Sequence, residues 1–162
     1  YMFPQWDSLY AAYVGALAAA AADTWGTEIG TLLGKQPRSI VSLEKVPPGT
    51  SGGVSMAGLA AGVLGALVVG MSAAAVFNEP QKYQALLTGA LAGGLCGTIT
   101  DSMLGATLQA RYRCVCCCKH TERPVHCEKP AVPAGGISWI TNDLVNWACA
   151  AAGGTAALAA YL

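Results

Sequence analysis

The stretch 54–77 carries no charged residue, and this constrains the chain more than any other feature. A run of about 20 apolar residues is long enough, as a helix, to cross the hydrocarbon core of a bilayer. Three further runs resemble it. Residues 8–33 have an uncharged core from 8 to 22 and a polar last third. Residues 83–110 are interrupted only by Asp101, and 140–162 are uncharged after Asp143. Backbone groups inside lipid must satisfy one another, which helices do within each segment. The expected fold class is therefore all-α. The chain reads as one polytopic transmembrane domain over 1–162, a bundle of four membrane helices with a small Cys-rich loop at 111–138. Of the 162 residues, 54% are hydrophobic and 11% charged. Soluble domains carry about 25% charged residues, so the bilayer is the expected surrounding. The net charge is zero, which gives no general attraction to nucleic acid, and no nucleic-acid partner is expected.

Alternating passes place 35–53 and 111–138 on one side, with 78–82 and both termini on the other. The first side holds Lys35, Arg38, Lys45, Arg111, Arg113, Lys119, Arg123 and Lys129, against Lys82 alone on the second. Basic loops stay on the cytoplasmic side, or its stromal or matrix equivalent. The choice between plastid, bacterial inner membrane and endoplasmic reticulum stays open. The chain starts at Tyr1 and shows no signal peptide, so further residues are expected before it. Gly26, Gly30 and Gly34 recur every four residues, as do Gly58 and Gly62, and Gly89, Gly93 and Gly97. Such spacing lets membrane helices pack closely.

Acids inside these runs are costly in lipid and point to function. Asp23 lies 12 residues before Lys35, and Asp101 lies 10 before Arg111. Along straight helices both sit about 15–18 Å in from the charged side. Two carboxylates at similar depth suit a shared divalent cation, which hard oxygen ligands hold. Thr24, Thr27 and Glu28 follow Asp23, and Ser102, Gly105 and Thr107 follow Asp101. Asn142, Asp143 and Asn146 cluster at the start of the fourth run, either as site residues or with Asn142 or Asp143 as an ordinary helix cap. Beyond Gly34 the chain turns basic, with Lys35, Arg38 and Lys45, and ends in Gly49, Thr50, Ser51, Gly52 and Gly53. Cations, hydroxyls and glycine backbone suit phosphate. The order GxxxxGK[ST] is absent, so this is no Walker loop.

Five of the seven cysteines, Cys114, Cys116, Cys117, Cys118 and Cys127, share one loop, while Cys96 and Cys149 stand apart. The clustering reads as metal or redox chemistry rather than a disulfide framework. Cys114 and Cys117 with His126 and Cys127 make two close pairs of soft ligands, as a structural zinc site requires. Cys116 and Cys118 offer a competing pair, and His120 a further ligand.

The stretch ADTWGTEIGTLLGKQPRSIVSLEKVPPGTSGGVS resembles the signature of the phytyl-phosphate kinase and transmembrane-protein-nineteen family. ITDSMLGATLQARYRC, TERPVHC and WITNDLVN resemble that family's later motifs in the same order. The resemblance runs from about Asp23 to Asn146 and extends distantly to CDP-diacylglycerol synthases and to phytol and dolichol kinases. It implies phosphoryl transfer from CTP to a polyprenyl or phytyl monophosphate, giving the diphosphate. Asp23 and Asp101 would hold Mg2+, with Glu28 and Asp143 beside them. Lys35, Lys45, Thr50, Ser51, Gly52 and Gly53 would hold phosphates, and Asn142 and Asn146 would complete the pocket. Arg38 and Lys45 would neutralise the transferred group. Full members carry additional N-terminal helices that are not in this sequence, and Cys116 and Cys118 enlarge the usual pair of loop cysteines. Two other expectations compete: a non-catalytic membrane subunit of a larger assembly, and a solute carrier using Asp23 and Asp101. A carrier has no evident use for the basic glycine loop.

Overall fold

The first helix, α1 (Gln5–Leu33), ends where Gly34 donates its N–H to the Gly30 carbonyl at 2.9 Å. The computed structural model describes residues 5–77 and 79–161. Residues 1–4, Asn78 and the expected end of the last helix at 162 lie outside the described residues. Three more helices follow: α2 (Met56–Phe77), α3 (Tyr83–Thr107) and α4 (Asn142–Tyr161). Each starts or stops for a local reason. Ser55 caps α2, its hydroxyl accepting from the Gly58 N–H at 3.1 Å. A 3-10 turn over Pro80–Lys82 leads into α3. Thr141 caps α4, accepting from the Leu144 N–H at 3.4 Å. The cap is thus neither Asn142 nor Asp143, which leaves the Asn142 side chain for another partner.

The expected helices need trimming. The second begins at Met56 rather than 54, because Val54 is drawn into a strand pair. The third ends at Thr107 rather than 110, because the chain folds back there. Ile137 donates to the Leu108 carbonyl at 2.9 Å, and Ala110 to the Ile140 carbonyl at 2.8 Å. The all-α expectation is amended as well. Short strands β1 (Arg38–Ser39) and β2 (Gly53–Val54) pair antiparallel and close the 35–53 loop on itself. The Cys-rich segment is a small β-module: β3 (Arg111–Arg113), β4 (His120–Thr121), β5 (Val125–His126), β6 (Lys129–Pro130) and β7 (Val132–Gly135). β3 lies between β4 and β7, and β5 pairs with β6 as a separate hairpin.

The helix core is built largely from alanine. Val14, Ala18, Ala22, Ala66, Ala73 and Ala90 form its buried centre. Small side chains bring the helix backbones together. A Cβ on Gly93 would stand 2.8 Å from the Gly15 Cα and from the Gly153 carbonyl oxygen, so α1, α3 and α4 cross at three glycines. Large apolar side chains face outward, among them Leu59, Val63, Val68, Met71, Leu95 and Ile99. An apolar exterior of this extent suits lipid rather than water.

Among the described residues one helix, over Met56–Val76, is long and apolar enough to cross a membrane by length and composition, with mean hydropathy 2.2. The others miss that mark for a visible reason. α1 carries Asp7, Asp23 and Glu28, α3 carries Asp101, and α4 begins with Asn142, Asp143 and Asn146. Most of these polar residues converge on one site at one end of the bundle. At the other end Lys82 pairs with Asp7 and, at 2.9 Å, with Glu79. Those two carboxylates, Asp7 first, hold the Lys82 ammonium above its ordinary pKa.

Candidate functional site

A cavity of about 490 Å³ opens among α1, α2, α3 and the 35–53 loop. That size is ordinary for a small-molecule site. Asp23 from α1 and Asp101 from α3 both line it. Asp101 Oδ2 is buried and has no hydrogen-bond partner among the described residues. The donor set, hard oxygens with one buried oxygen left over, fits a divalent cation such as Mg2+. Glu28 also lines the cavity and adds a further carboxylate.

The opposite wall is the glycine loop. Thr50, Ser51, Gly52 and Gly53 all face the cavity. Gly52 has φ +75°, and a Cβ there would stand 2.5 Å from the Ala106 Cβ and 2.6 Å from the Ser102 carbonyl oxygen. Only glycine meets both demands, so the loop backbone docks directly on α3. Asn142 and Asn146 close the side nearest α4. Val63, Leu91, Leu95 and Ile99 give the cavity an apolar flank that opens on the outer surface between α2 and α3. The site is therefore amphipathic, with acids and hydroxyls at one end and an aliphatic slot at the other.

Four expected site residues stand elsewhere. Lys35, Arg38 and Lys45 are exposed on the loop and do not line the cavity. Arg38 is occupied locally, its guanidinium donating to the Leu43 carbonyl at 2.7 Å, and it bridges to Lys45 through the backbone. Asp143 is exposed in the first turn of α4, where an acid suits the helix dipole.

Two residues beyond the sequence reading belong to the site. Gln109, 2% exposed, accepts from the Ser51 hydroxyl at 3.1 Å and donates to Asn142 Oδ1 at 3.3 Å. It ties the glycine loop to the start of α4 across the end of α3. Glu122, on the link between β4 and β5, lines the cavity. A lone glutamine at a helix end gives no sequence signal. The neighbouring Asp, Thr and Asn motifs could have prompted the search for a glutamate on the opposing loop.

Outside the cavity, Cys114, Cys117, His126 and Cys127 bring their ligand atoms within 4.8 Å of one another. This is the set expected from spacing. Cys116 and Cys118 are exposed and not part of it. The backbone N–H groups of Cys117 and Cys116 point at the Cys114 sulfur and hold its thiol down at about 6. Cys127, hydrogen-bonded to Cys114 and partly desolvated, is pushed up to about 11.

Residues 1–154 match the family described as integral membrane protein DUF92. The chain belongs to the DUF92 family. Its relatives include an uncharacterized membrane protein of Methanocaldococcus jannaschii, 36% identical over 61% of this chain and 40% of that protein. Protein PGR of Arabidopsis thaliana is 31% identical over 86% of this chain and 50% of its own length. An uncharacterized membrane protein of Synechocystis is 27% identical over 83% of this chain and 41% of that protein. The chain thus spans half or less of the length of these curated relatives. No solved structure matches it. DUF92 membership makes this an integral membrane protein, which accounts for the apolar exterior around a polar cavity.

Proposed function

We propose that this chain carries the phosphoryl-transfer site of a polytopic membrane kinase that converts a polyprenyl or phytyl monophosphate to the diphosphate with CTP as donor. The observation that carries the reading is the amphipathic cavity: a carboxylate pair and a glycine–hydroxyl loop at one end, an aliphatic slot at the other. That combination suits a substrate with a phosphate head and an isoprenoid tail. The resemblance of the 22–53 stretch to phytyl-phosphate kinases favours the same assignment.

Asp23 and Asp101, with Glu28 beside them, would hold Mg2+, which supplies charge neutralisation to the donor phosphates. The backbone at Gly52 and Gly53 would orient the donor, while the Thr50 and Ser51 hydroxyls shape the loop by donating to the Pro47 carbonyl at 2.7 Å and to Gln109. Gln109 and Asn142 hold that loop in place, so its groups are positioned before substrate arrives. Lys35, Arg38 and Lys45, on the same loop, would draw anionic substrates toward the mouth. An oxygen of the acceptor monophosphate attacks the γ-phosphorus of CTP. A new P–O bond forms, the bond to the β–γ bridging oxygen breaks, and CDP leaves with that electron pair. The acceptor oxygen is already anionic, so no general base is required. The acceptor's tail would lie along Val63, Leu91, Leu95 and Ile99.

In the same proposal all four helices cross the bilayer, with 35–53 and 111–138 on the cytoplasmic or stromal side. Trp139 and Trp147, both exposed around the start of α4, would sit at that interface. The test is transfer of the labelled γ-phosphate of CTP to phytyl monophosphate by the purified protein in detergent. Diphosphate formed by wild type and lost in Asp101→Asn is the expected result. No product from a folded wild type that binds CTP would remove the kinase reading and favour a non-catalytic subunit.

A further inference from the structure

The Cys-rich module stands apart from the cavity's chemistry, and its construction asks for its own explanation. Two hairpin tips meet in it. The tip between β3 and β4 carries Cys114 and Cys117, and the tip between β5 and β6 consists of Cys127 and Glu128. Both residues of the second tip have positive φ, 52° and 59°. A two-residue turn of that kind is normally Asn-Gly or Asp-Gly, because other side chains crowd the backbone there. Cys118 in the first tip is left-handed too, at φ 57°. Cysteine thus stands at a turn position that its backbone preference opposes.

The distances say what the thiol is for. Zn–S bonds of about 2.3 Å and Zn–N bonds of about 2.0–2.1 Å in a tetrahedron put sulfur and nitrogen about 3.6 Å apart. His126 Nδ1 stands 3.6 Å from Cys117 Sγ and 3.2 Å from Cys127 Sγ. Cys114 completes the set, buried and with the Cys116 N–H 3.4 Å from its sulfur. Three sulfurs and one imidazole nitrogen suit a structural zinc ion.

We propose that Cys114, Cys117, His126 and Cys127 bind one structural zinc ion, and that this ion clamps the two hairpin tips so that the link between them presents Glu122 to the cavity. The clamp follows from the connectivity. Two ligands precede the link and two follow it, and Glu122 lies in between, lining the cavity beside Asp23 and Asp101. Four protein ligands leave no open position, so the ion supplies shape and takes no substrate. This inference does not depend on the kinase reading.

The test uses the full chain purified in detergent, with zinc measured by mass spectrometry and backbone hydrogen exchange followed over 114–131. One equivalent of zinc is expected in wild type and in Cys118→Ser, with at least a tenfold loss in Cys117→Ser and Cys127→Ser. Cobalt substitution should give thiolate charge-transfer absorption in wild type and Cys118→Ser, and not in Cys117→Ser or Cys127→Ser. Stripping zinc with a chelator should raise exchange at least tenfold over 119–128 while α2 and α4 stay protected, which separates loss of the clamp from unfolding. Folded wild type without zinc overturns the site. Zinc lost from Cys118→Ser but kept in Cys127→Ser overturns the ligand set. Unchanged exchange at 119–128 after zinc removal overturns the clamp.

Discussion

Gln109 shows how much of this site depends on a single side chain. Its amide satisfies Ser51 on one side and Asn142 on the other, in a place with almost no access to water. Replacing it with leucine keeps the bulk and leaves both partners without their bond. Ser51 is half-buried and Asn142 exposed, so water replaces part of what is lost, and the two hydrogen bonds together are worth about 1 kcal/mol. Gln109→Leu should therefore lower the thermal midpoint in detergent and weaken CTP binding together. A variant with wild-type stability and binding would show that the Ser51–Asn142 link carries nothing. The two aspartates were legible in the sequence because an acid in an apolar run stands out against its surroundings. Gln109 was not, since it is buried only when residues 137–140 fold back over the end of α3. Lys45 and Arg38 misled for the converse reason. They neighbour the glycine loop in sequence, but both side chains are exposed and their backbones bridge to each other.

Among the elements, the glycine loop is the one whose conformation the site cannot do without. Its contact with α3 is backbone against backbone at Gly52. Gly52→Ala adds a methyl group where there is no space, at a φ that costs a non-glycine residue about 1 kcal/mol or more. The helices do not depend on that contact. The expected outcome is an unchanged helical circular-dichroism signal with CTP affinity reduced at least tenfold, and wild-type affinity would mean the loop does not need this docking. The helices themselves were legible to within a few residues, because long apolar runs with small-residue spacing have few alternative folds in lipid. The strands were not. Each is two to four residues long, too short for an alternation pattern, and each is specified by hairpin geometry and by the cysteine cluster.

The whole molecule separates two ends. One gathers the loops, the cavity and the β-module, and the other holds the Lys82 ion pairs with Asp7 and Glu79. The proposed four-pass topology, with the basic end facing the cytoplasm or stroma, makes a direct prediction. A membrane-impermeant maleimide should modify Cys118, which is exposed in the β-module, in vesicles with that face outward and not in vesicles of the opposite orientation. Labelling from both faces would contradict the topology. The central claim is that Asp23 and Asp101 form, with the glycine loop, a metal–phosphate site. The measurement that tests it most directly is Mg2+-dependent CTP binding by the purified protein, with Asp23→Asn and Asp101→Asn set beside Asp143→Asn. Binding in wild type and Asp143→Asn, and its loss in both cavity variants, is the predicted result. Magnesium-dependent binding that survives in either cavity variant would contradict it.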